Sequence, residues 1–65
     1  MASNGRIMGY NGQLGYGFIQ RGDGDFVFVH DSSVENGDLL EEGNEVEFAI
    51  AQGAQGPMAV NVVEI

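Results

Sequence analysis

Ten acidic residues stand against two arginines, Arg6 and Arg21, in a 65-residue chain without lysine, a formal net charge of −8. A field of that sign repels phosphate backbones and leaves few counterions to release, so long-range electrostatics recruit no nucleic acid to this chain. One domain spanning residues 1–65 is expected, near the lower size for unassisted folding, and with no cysteine its core must be hydrophobic rather than stapled or thiolate-bound. Neither a long apolar run nor a basic-then-apolar start occurs, so no membrane span or signal peptide is expected, and the expected location is cytoplasmic.

In chain order, the first β-favouring run is "RIMGY" (6–10), followed by the hairpin signal "NGQLG" (11–15) and a second run, "YGFIQ" (16–20). The turn "GDGD" (22–25) leads into "DFVFVH" (25–30). The stretch "SSVENGDLLEEG" (32–43) has room for one helical turn at its start, with Ser32 or Asp31 as its cap. Then come "EVEFAI" (45–50), the turn "QGAQGP" (52–57) with the only proline, and "MAVNVVEI" (58–65). Runs of this length between Gly, Asn and Asp predict an all-β meander or barrel, and no segment carries a helical period.

The side-chain period of a strand is two, so Val27 and Val29 share one face while Phe26, Phe28 and His30 share the other. Likewise Tyr16 and Phe18 oppose Gly17 and Ile19. Ile19, Val27, Val29, Val46, Phe48, Ile50, Val60 and Val62 suffice for a small β-branched core, which leaves the rings outside, side by side across a hairpin. The converse assignment, rings inside and valines on the other wall, fits the same alternation equally well, because period alone does not say which face is wet. Gly15 and Gly17 around Tyr16 tip the balance slightly toward rings open to an approaching base, although they also suit a tight turn.

"GYGFI" (15–19) and "VFVHDS" (27–32) resemble the two ribonucleoprotein motifs of the cold-shock domain family, small OB-fold barrels that bind single-stranded DNA and RNA. The resemblance continues through "GRIMGYN" (5–11), "LEEGNEVEFAI" (40–50) and "GAQGPMAVNV" (53–62), so it covers nearly the whole chain. It implies a small five-stranded antiparallel OB-fold barrel with base-stacking residues at Tyr10, Tyr16, Phe18, Phe28 and His30, and with Arg6 at the margin. Several family positions are changed. The family's tryptophan falls on Gly9, the lysine before it on Met8, the lysine before the first motif on Leu14, and the phenylalanine after the second motif's histidine on Asp31. The loop after Val34 is shorter and lacks its aromatic, and the usual arginine and glutamine of the last turn fall on Gln55 and Met58. Two lost stacking platforms at about 1–3 kcal/mol each weaken binding by roughly 30-fold to 10⁴-fold.

The resemblance implies a weakened single-strand binder with a shallow salt dependence, acting as an RNA chaperone or as a regulator of transcription or translation, without catalysis or cofactor. His30 would serve as a ring and hydrogen-bond partner, and its protonated form would strengthen contact with phosphate, whereas a lone strand histidine is more commonly just part-buried. The competing expectation is a barrel that has lost most nucleic-acid binding and serves as an acidic protein-interaction module, with Met8, Leu14 and Met58 adapting to a partner around the rings. A monomer is expected in either case. Asp23, Asp25, His30 and Asp31 resemble a metal set only in composition: the aspartates read as turn formers, and His30 and Asp31 are expected on opposite faces of a strand. Glu41 and Glu42 read as a solvated turn rather than an acid/base pair.

Overall fold

The computed structural model describes residues 3–35, 40–54 and 56–65. The shortened loop after Val34, at 36–39, and Gln55 lie outside the described residues. Five strands follow in order: β1 (Ser3–Asn11), β2 (Tyr16–Arg21), β3 (Phe26–His30), β4 (Glu45–Gly53) and β5 (Gly56–Glu64). Polar side chains close the first two turns. Asn11 Oδ1 accepts the N–H groups of Gln13 and Leu14 at 3.0 and 3.1 Å, and Asp23 Oδ1 accepts that of Asp25 at 3.0 Å.

The strands close into a barrel in the order β1-β2-β3-β5-β4. Four pairings are antiparallel and the fifth, between β3 and β5, is parallel through Phe28 and Met58. An odd ring of strands cannot alternate direction all the way round, so an OB-type closure needs one such parallel contact. A 3-10 turn at Asp31–Ser33 leaves β3. Its cap is His30, whose Nδ1 accepts the Ser32 N–H at 3.1 Å, in place of the expected Ser32 or Asp31: the imidazole ends the strand and already faces the first free N–H.

Ile7, Ile19, Val27, Val29, Leu40, Val46, Phe48, Ala59 and Val62 form one buried cluster. Two residues expected in that core lie elsewhere. Val60 is displaced by a β-bulge in β5: Ala49 pairs with Val60 and Glu47 with Val63, so Asn61 and Val62 together face Phe48. Asn61 takes φ +53 to make the extra step, which turns Ala59 and Val62 inward and Val60 aside. Ile50 pairs with the buried Ala59 yet stays 37% exposed; among the described residues the β1 partners of β4 run from Glu45 to Phe48, short of Ile50.

A second bulge shapes β1. Met8 pairs with Phe18 and Asn11 with Tyr16, so Gly9 and Tyr10 together oppose Gly17. Gly9 adopts φ +64, the left-handed first position of a G1 bulge. The segment before β4 docks on the same strand: the Gly43 N–H donates to Ile7 O at 2.7 Å and the Ile7 N–H to Asn44 O at 2.9 Å.

Candidate nucleic-acid interface

The register of β1, β2 and β3 lays their outward side chains in three rows, because directly paired residues share a face. Asn11, Tyr16 and His30 make one row, Met8, Phe18, Phe28 and Met58 the next, and Arg6, Gln20 and Phe26 the third. The valine face is therefore the buried one, and of the two assignments compatible with the alternation, the structure takes the one with the rings outside. Tyr16, Phe18 and Phe26 are 39%, 44% and 57% exposed, and Phe28 is half-buried between its neighbours.

The four rings touch in a zigzag. Tyr16 and Phe28 lie 5.8 Å apart between centroids with planes inclined by 32°, Phe28 and Phe18 lie 6.2 Å apart edge to face, and Phe18 and Phe26 lie 6.4 Å apart edge to face. Such contacts hold each ring's orientation at ~0.5–1.5 kcal/mol per pair while leaving apolar surface toward solvent. Contiguous rings on an open sheet are suited to unpaired bases, which stack on any flat apolar platform regardless of sequence.

His30 closes one end of the zigzag beside its paired Tyr16. Its Nδ1 lies 2.9 Å from Ser32 Oγ and 3.1 Å from Asp31 Oδ1. The expectation that His30 and Asp31 diverge to opposite faces therefore fails: the 3-10 turn begins at Asp31 and curls its carboxylate back to the imidazole. Among the described residues no three His, Asp or Glu side chains gather where they could share a metal ion.

Tyr10 is not in the zigzag. A Cβ built on Gly17 would stand 2.5 Å from Tyr10 Cα and 3.0 Å from its Cβ and Cδ1, which puts Tyr10 on the side of β2 opposite Tyr16 and Phe18. There it packs, part-buried, against the core. Gly17 thus answers to crowding behind the sheet rather than to open space for a base. At Gly15, with φ +77, the same built atom would lie 2.7 Å from Asp31 Oδ2.

Arg6 stands in the third row, where its Nη2 lies 3.2 Å from Glu45 Oε1. Both side chains are about 60% exposed (60% and 62%), so solvent screens the pair and little free energy holds it closed. Glu42 does more than face solvent. Its carboxylate accepts the Gly9 N–H at 2.8 and 3.0 Å and lies 3.3 Å from the Tyr10 N, filling the small N–H concavity that the bulge creates. Sequence reasoning left Phe26 outside the site because the resembling motif starts at Val27, although its period-two position with Phe28 and His30 carried the signal.

A closed five-stranded barrel with this strand order and one parallel closure is an OB-fold. The family model for the 'Cold-shock' DNA-binding domain matches residues 3–65, and the chain belongs to that family. It is 51% identical over 63 residues to cold shock-like protein CspC of Bacillus cereus, covering 94% of this chain and 97% of that protein. Cold shock protein CspD of Bacillus subtilis is 45% identical over 64 residues, with 95% and 97% covered, and cold shock protein CspB of Bacillus caldolyticus 46% identical over 63, with 94% and 96% covered. Among solved structures, drosophila Unr CSD456 superposes on all of this chain with a TM-score of 0.77 at 20% identity, a likeness of fold alone in which this chain spans 27% of that one.

Proposed function

We propose that this protein binds single-stranded RNA or DNA by stacking unpaired bases on Tyr16, Phe18, Phe28 and His30, with Arg6 at the margin, while Tyr10 supports the platform from behind the sheet. The observation that carries the reading is the outward, mutually contacting row of rings on β2 and β3, in a chain of the cold-shock family. Stacking supplies the affinity and charge supplies little. With two arginines to release counterions, the salt slope is no steeper than about −1.4. Gly9 and Asp31 offer no ring at their positions, so binding is weak, at a level suited to loose and rapidly exchanging contact with many sequences. Such a protein serves as a cytoplasmic RNA chaperone or a regulator of transcription or translation, acts as a single domain and monomer, and needs no cofactor.

The chain has no tryptophan and two tyrosines, so tyrosine emission reports on Tyr16 inside the site over the background of Tyr10 behind the sheet. Titration with oligothymidine and oligouridine should give saturable quenching at both low and high salt. Unchanged emission at millimolar oligonucleotide would contradict the reading and favour the acidic protein-interaction module, for which Met8 and Met58 at the two ends of the Phe18–Phe28 row supply adaptable contacts.

A further inference from the structure

Phe26 is the most exposed of the four zigzag rings, and no role follows for it from the platform of Tyr16, Phe18, Phe28 and His30. It extends that platform by one ring toward a particular place. Its cross-strand partner is Gln20, and the partner of Gln20 on β1 is Arg6, so ring, amide and guanidinium stand in one row. Beside this row lies an open groove of about 380 Å³, lined by Asn4, Arg6, Gln20, Arg21, Gly22 and Glu45 among others. Both arginines of the chain therefore line a single groove, and no other arginine or lysine exists to meet a phosphate.

The opposite end of the zigzag is negative. There the Asp31 carboxylate sits beside His30, 3.1 Å from its Nδ1. A polyanion laid across the rings meets repulsion at the Tyr16–His30 end and the chain's only side-chain cations at the Phe26 end. From this asymmetry, and on the premise of single-strand binding proposed above, we infer that Phe26 with the Arg6–Arg21 groove forms an additional nucleotide subsite. The ring of Phe26 stacks one further base, and the two guanidinium groups hold the adjoining phosphate, with Asn4 and Gln20 as neutral hydrogen-bonding neighbours. Glu45 gates this subsite, because its carboxylate competes with the phosphate for Arg6 across 3.2 Å of exposed space. The pair is weak enough in solvent for a phosphate to displace it.

The inference is tested with oligothymidine and oligouridine of increasing length, each titrated into the wild type, Phe26→Ala, Arg6→Gln/Arg21→Gln and Glu45→Gln. Wild-type affinity should rise with length to a plateau. In Phe26→Ala the plateau should come one nucleotide earlier and lie at least about fivefold lower, while the shortest bound oligomer is unaffected. Arg6→Gln/Arg21→Gln should flatten the salt slope by about 1.4, and Glu45→Gln should tighten only the longer oligomers. Phe26 is exposed, so its truncation leaves the fold intact, as the unchanged denaturation midpoint will register. A Phe26→Ala profile matching wild type at every length, or an unaltered salt slope without the arginines, overturns the subsite while single-strand binding stands. Absence of wild-type binding at every length overturns both readings. Equal results with thymidine and uridine oligomers place the subsite on phosphate and base alone, and a gain confined to uridine adds the 2′-hydroxyl to its contacts.

Discussion

Replacing Gly17 by Ala separates a steric role for the glycine behind the rings from one in ligand access. The new methyl would stand 2.5 Å from Tyr10 Cα and 3.0 Å from Tyr10 Cβ. Favourable carbon contacts begin near about 3.5 Å, so the bulge at Gly9 and Tyr10 must retreat by about 1 Å. The obstacle is strand backbone rather than the tip of a flexible side chain, which puts the cost at the upper end of the overpacking range, about 3 kcal/mol. A chain of this size has on the order of 3–10 kcal/mol of stability in all. With a urea slope of about 1 kcal/mol/M, the midpoint should fall by roughly 2–3 M. Gly9→Ala is the internal control: nothing lies within 4 Å of its built Cβ, and only the φ of +64 opposes the change, at about 1–2 kcal/mol. Urea denaturation followed by far-ultraviolet dichroism reads both variants. A Gly17→Ala midpoint within about 0.5 M of wild type, or about 0.5 kcal/mol, would refute the crowding behind β2 and return the glycine to a role in base access.

Phe48→Ala, at a position 1% exposed, should cost about 3–5 kcal/mol, whereas Ile50→Ala at 37% exposure should cost no more than about 1 kcal/mol, although sequence pattern puts both in the core; chemical denaturation decides between them. Asp31→Asn removes the anion at the His30 end: a phosphate about 7 Å away in a water-like medium then gains about 0.6 kcal/mol, so oligothymidine should bind about threefold tighter at low salt and no tighter at high salt. The Ser32 N–H donates to His30 Nδ1, which puts the proton of the neutral ring on Nε2, and imidazole nitrogen shifts should show that tautomer, with Ser32→Pro abolishing the preference.

The five strands and their turns were legible in the sequence because turn residues and period-two runs coincide: each expected run lies within an observed strand or overruns it by a single residue. The direction in which the rings face was not, since alternation names two faces without distinguishing them. What resolves it is the closed barrel, which buries Ile19, Val27 and Val29 beside Phe48 and leaves Phe18 and Phe28 outside the buried cluster. The bulges escaped for a different reason. Gly9 at φ +64 and Asn61 at φ +53 each add a residue to one strand, which shifts every later side chain to the other face without altering composition, and so Val60 and Ala59 exchanged places. Ile7 was missed from the core although Arg6 and Met8 flank it with the right alternation. At the candidate site, four ring positions carried by the resemblance meet on one face, while Tyr10 is drawn behind the sheet by its contact with Gly17. Phe26 was visible in the pattern, and its relation to the arginines emerges only from cross-strand register.

Stacking of bases on the β2–β3 rings is read by a chemical-shift titration of the wild type with a short oligothymidine, beside Phe18→Ala/Phe28→Ala. Saturable shifts should centre on Tyr16, Phe18, Phe28 and His30, little weakened by salt and lost in the double variant, whose fold survives because neither ring belongs to the buried cluster. Shifts that persist undiminished in the double variant, or that map to the far side of the barrel, would contradict stacking on these rings.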